Sequence, residues 1–94
     1  MVFAHTDVNA VIGITAEGLK IVSTVVTVTD TNTAATQITM TPLKRIIAWN
    51  FFPRNPGTTP TTFVAAAGTA SNQIGVTPTA DAIGAVLQIL AVGE

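Results

Sequence analysis

His5 and Asp7 are the residues whose types and spacing come closest to chemistry. An imidazole and a carboxylate one residue apart point the same way on an extended backbone, and together they offer a nitrogen and an oxygen to a cation. A metal centre wants three or four ligands. The chain has no second His and no Cys, so His5 is read as an ordinary histidine and neither metal nor cofactor is expected. Hydrolysis fares no better. Ser23 and Ser71 are the only serines, neither stands in a Gly-x-Ser-x-Gly turn, and His5 is the single imidazole that could act as base. The carboxylates Asp7, Glu17, Asp30, Asp81 and Glu94 are scattered over turns and ends. No catalytic residue is assigned, and the chain is not expected to be an enzyme.

Recognition chemistry is better supplied. Lys44 and Arg45 are adjacent and therefore point oppositely on a strand, which predicts separate rim salt bridges or a blunted sheet edge more than one basic patch. The cluster Trp49-Asn50-Phe51-Phe52 holds the only Trp and two of the four Phe. Aromatic side chains anchor interfaces, and they pack cores equally well. Both uses stay open here, one face for each. Candidate interface residues are Trp49, Phe51, Phe52, Arg54 and, from the last apolar segment, Leu87, Ile89 and Leu90. The Thr-rich stretches 31–41 and 58–62 have irregular spacing, which suits a solvated β surface better than a regular ice-binding array or a glycan acceptor.

Composition says why an interface is expected at all. The 94 residues form one domain, 1–94. Scaling laws give such a chain a folded surface of roughly 5,100 Å² against about 14,000 Å² unfolded. Only 10% of residues are charged, whereas about 25% is usual. Hydrophobic residues make up 48%, with a mean hydropathy of +0.55. So few charges cannot cover that surface, and Thr together with burial against neighbours must make up the difference. Without Cys there is no disulfide staple, and oligomerisation is the remaining common way to stabilise a small core. A net charge of −1 gives no footprint for nucleic acid. Residues 1–7 lack the basic and apolar regions of a signal peptide, and the apolar run 85–92, broken by Gln88, is too short for a membrane span of ~20 residues.

The elements that would position these residues read as strands. Residues 1–7 are expected to form an extended N-terminal arm, and 8–14 a first strand. Residues 15–18 form a short hairpin connection into the strand 19–29. In that strand Val22, Thr24, Val26 and Val28 share one face, and β-branched side chains disfavour helix. Residues 36–41 alternate Ile38 and Met40 against Gln37 and Thr39. Residues 43–52 form a strand apolar on both faces, with Leu43, Arg45, Ile47, Trp49 and Phe51 on one side, closed by Pro53 and a loop to residue 62. Short strands follow at 63–67 and 73–76, and residues 79–93 fit either a strand or a helix, with the strand preferred. The fold class is all-β: a small antiparallel sandwich or barrel of six to eight short strands.

In general character the chain resembles the small structural proteins of tailed bacteriophages, in particular capsid decoration (cement) proteins. The likeness lies in a short Thr-, Val- and Ala-rich chain without Cys, a segment 4–14 leading into the strand 19–29, and a terminal Leu87-Gln88-Ile89-Leu90-Ala91-Val92-Gly93. The resemblance implies a symmetric β homo-oligomer, often a trimer, made in the host cytoplasm. It would sit on the virion exterior where units of the major capsid protein meet, with no nucleic-acid or membrane partner. Other roles for such a module are receptor or glycan binding in a tail or fibre, and a subunit of a tail tube or filament.

Overall fold

The computed structural model describes residues 4–30, 34–55, 62–80 and 83–94. Among these the chain is all-β, with seven strands in two antiparallel sheets: β1 (His5–Ile14), β2 (Lys20–Val28), β3 (Thr36–Thr39), β4 (Ile46–Asn55), β5 (Phe63–Ala67), β6 (Gln73–Pro78) and β7 (Val86–Gly93). One sheet has the order β1-β2-β7-β4 and the other β3-β6-β5.

The inner faces of the two sheets supply one core. From β2 come Val22, Val26 and Val28, from β7 Leu87, Ile89 and Ala91, and from the smaller sheet Ile38, Ile74 and Val76, with Met40 and Leu43 beside them. Burying a large apolar side chain fully contributes about 1.5–3 kcal/mol, so these residues carry most of what holds the sheets together. Thr24, also buried, keeps its hydroxyl satisfied by donating to Asn9 Oδ1 at 2.6 Å, and it lies against Met40 Sδ.

Two glycines open the way into strands. Gly18 takes φ +87° in the β1–β2 turn, where its N–H donates to Thr15 O and Thr15 N–H to Leu19 O. Gly84 takes φ +82° just before β7, and its N–H donates to Val28 O. A left-handed residue there breaks any helix over 79–93, so the preferred strand reading holds for Val86–Gly93.

Several boundaries differ from the sequence expectation, each for a physical reason. Strand β1 begins at His5 and not at Val8, because His5, Thr6 and Asp7 of the extended N-terminal segment pair with Val28, Thr27 and Val26 as an edge strand. Residues 1–3 lie outside the described residues. Strand β4 begins at Ile46 and not at Leu43, and it continues through Pro53 to Asn55. Proline is tolerated on an edge strand, and β4 is an edge. A register shift between Ile46 and Ala48 also changes which residues share a face. Trp49 and Phe51 turn inward against the core, and Phe51 meets Phe63 with ring centroids 6.1 Å apart. Ile47, expected on that same face, is 51% exposed. Strand β3 stops at Thr39 and β6 runs on to Pro78, at its last position, where only β5 still pairs.

Candidate interaction surface

The outer face of the four-stranded sheet can be built row by row from the strand registers. One row runs Val8–Val25–Gln88–Phe52, and the next Ala10–Ser23–Leu90–Asn50. They are flanked by Thr6–Thr27–Val86–Asn55 on one side and Gly13–Ile21–Val92–Ala48 on the other. None of these four rows of four contains a charged residue. The opposite face of the same sheet is committed to the core, and no described residue covers this one.

Exposure across the face follows position in the sheet. Val8 on the edge strand β1 is 65% exposed and Phe52 on the other edge 43%. Val25, Leu90, Val92, Ile21 and Val86 on the central strands are half-buried by their own neighbours. Gln88 lies along the face, its Nε2 donating to Ser23 Oγ at 3.0 Å, which satisfies two polar groups without drawing charge to the centre. A shallow apolar depression of about 260 Å³ is lined by Ile21, Ala48, Asn50, Leu90 and Val92 with the backbone region of Trp49 and Ala91. Such a surface can bury apolar area against another protein.

Apart from Asp7, which faces inward from β1, the described charges stand at the margins of the sheet. Glu17 is in the β1–β2 turn, Lys20 opens β2 and reaches Pro42 O with Nζ, and Arg54 is near the end of β4. Arg45 and Glu94 form an exposed ion pair at 2.9 Å, one of the rim bridges the sequence suggested. Both groups are more than half exposed, so the pair adds at most about 1 kcal/mol.

The structure divides the residues singled out from the sequence. Phe52, Leu90 and Arg54 are accessible, the first two within the uncharged face. Trp49 and Phe51 are half-buried on the core side. Leu87 and Ile89 require correction as interface candidates: both are 0% exposed and fill the chain's own core. In a strand apolar on both sides, sequence alternation leaves open which side meets the second sheet. Val8 and Val25 belong to the same outer face but are not singled out by the sequence. Val8 stands in a stretch whose polar residues, Asp7 and Asn9, carry the inward face, the reverse of the usual pattern.

An open groove of about 430 Å³ beside Trp49 is lined by Arg45, Ile46, Ser71, Gln73 and Ile74 among others. Its polar groups are largely engaged. Ser71 Oγ donates to Lys44 O, Gln73 bonds Thr69, Ala70 and Thr39, and Arg45 bonds Glu94. His5 and Asp7 do come together, with Nε2 3.2 Å from Oδ2. Burial pushes the Asp7 carboxyl above its ordinary 3.8, against the pull of His5, and its Oδ1 is buried without a partner. No group of three or more His, Cys, Asp or Glu suited to a metal occurs among the described residues. Nor is any helix among them long and apolar enough to cross a membrane. Compared with known proteins, the chain matches no family model, no curated protein and no solved structure.

Proposed function

We propose that this chain is a non-enzymatic structural protein that works by adhesion, its four-stranded sheet seated on another protein through the uncharged outer face. In its fuller form the reading is a capsid decoration protein on a virus particle, holding adjacent shell subunits together from outside. The observation that carries the adhesive part is the outer face itself: four cross-strand rows without one charged side chain. Contiguous exposed apolar patches beyond a few hundred Å² mark interaction sites on soluble proteins. The resemblance to decoration proteins supplies the shell as partner.

The test is addition of the recombinant chain to undecorated tailed-phage shells, with Leu90→Lys as the control. Leu90 lies in the middle of the face and is half-exposed, so a lysine there places a charge at the contact without opening the core. The reading expects the native chain to sediment with shells and raise their thermal rupture temperature, and Leu90→Lys to do neither. Failure of the native chain to bind shells, combined with sugar-dependent quenching of Trp49 fluorescence, would replace it with glycan binding in the groove beside Trp49.

A further inference from the structure

Among the described residues, the outer edge of β1 is the other unpartnered feature of the same sheet. We propose that two copies of the chain join there, antiparallel about a two-fold axis at Val8, so that the four-stranded sheet becomes eight-stranded. The inference stands apart from the shell reading, because it concerns the edge of the sheet and not its outer face.

Thr29 N–H donates to Ala4 O, so Ala4 directs its backbone groups toward β2. In an antiparallel ladder alternate residues do the same. Thr6 and Val8 therefore bond β2, and Asp7 and Asn9 aim N–H and C=O outward from the sheet. An edge of this kind is a template for another strand unless something blocks it. The opposite edge, β4, is blocked by Pro53 and by two register shifts. In the smaller sheet the edges β3 and β5 have only four and five residues. Strand β1 has ten residues, no proline and no lysine, and its one register shift lies beyond Val11.

Side chains then choose the occupant and the register. Asp7 Oδ1 is buried with no hydrogen-bond partner. Asn9 spends its Oδ1 on Thr24, and its amide NH2 has no partner among the described residues. In the pairing centred on Val8, Asp7 of each copy stands opposite Asn9 of the other, and the match occurs twice by symmetry. There the two residues exchange backbone hydrogen bonds. The Asp7 carboxyl of one copy and the Asn9 amide of the other then stand side by side on the same face of the seam, placed for the amide NH2 to donate to the carboxyl. Val8 meets Val8 across the axis and Thr6 meets Ala10, so the uncharged rows of the outer face run on from one copy into the next. Each chain carries a net charge of only −1, which offers little repulsion. A two-fold pairing is self-complementary by construction, and it replaces the trimer that the resemblance suggested.

Light scattering and amide hydrogen exchange on the intact chain, from micromolar to millimolar concentration, decide the matter. The expected mass doubles across the range. Over the same range exchange at Asp7 and Asn9 slows about tenfold or more, while Thr6 and Val8 are slow throughout. Asn9→Asp keeps the acceptor for Thr24 and sets a carboxylate against Asp7 of the partner, so the doubled mass is lost. Val8→Lys, which opposes two lysines on the axis, does the same at an exposed position. A monomer at millimolar concentration overturns the proposal. So does a trimer, or a dimer in which Asp7 and Asn9 exchange at the rate of an unpaired amide. Leu90→Lys keeps the doubled mass if the edge forms the dimer, so loss of shell binding and loss of pairing are read separately.

Discussion

Leu87 and Leu90 stand three residues apart on β7 and face opposite ways, and truncating each separates the two jobs of the sheet. Leu87 is 0% exposed and belongs to the core cluster to which both sheets contribute. Leu87→Ala removes a fully buried side chain and leaves a cavity, a change that costs about 2–5 kcal/mol. Taking about 3 kcal/mol, a domain of this size loses roughly 12–24 °C in Tm. Leu90 is half-buried on the outer face. Roughly half of a full leucine's ~1.5–3 kcal/mol is at stake there and no closed cavity forms, so Leu90→Ala costs about 1 kcal/mol or roughly 4–8 °C. Urea unfolding followed by Trp49 fluorescence is the assay, since Trp49 packs against the core and reports its loss. Runs at several protein concentrations expose any contribution of association, which shifts the midpoint by mass action. An equal cost for the two substitutions at low concentration would refute the reasoning, because it would mean that the outer face is already covered within one chain. A cost below 1 kcal/mol for Leu87→Ala would refute it from the other side.

Three further outcomes follow from particular contacts. Burial raises the Asp7 carboxyl, so the folded chain binds a proton more tightly than the unfolded one. Its contribution therefore favours the fold at low pH and is lost as pH rises from about 3.8 through the raised value. Asp7→Asn removes that slope and raises the urea midpoint at neutral pH, and a native-like slope in the variant would contradict the assignment. At Gly93 an added Cβ would collide with the carbonyl oxygen of Arg45 beside the β4 register shift. Gly93→Ala is thus expected to lower stability by about 1–3 kcal/mol in thermal unfolding, and a neutral effect would show that β4 can slide away. Glu94→Ala breaks the exposed pair with Arg45 and should change stability by less than about 1 kcal/mol, an effect that vanishes in molar salt.

Much of the strand pattern was legible because it is local. The alternation groups Val22, Thr24, Val26 and Val28 on one face of β2, and the structure buries all four. Ile38 and Met40 likewise face inward together. Local reasoning failed where the backbone steps out of period. The register shift between Ile46 and Ala48 moves Ile47 away from the side of Trp49 and Phe51, and nothing in those residue types announces it. Pro53 reads as a stop, yet β4 passes through it because that strand lies at an edge.

What the sequence settled alone was the all-β class and the shortage of charge. β-Branched runs and turn residues determine local backbone preference, and a count of ionised side chains needs no coordinates. Only the tertiary structure decided where the shortage falls. Strand order brings β1, β2, β7 and β4 side by side, and their registers align the uncharged positions into one face. The same pairing sends Leu87 and Ile89 into the core and leaves Leu90 outside. Which side of a doubly apolar strand is interior depends on where the second sheet packs, and that is a long-range contact no short window of sequence contains.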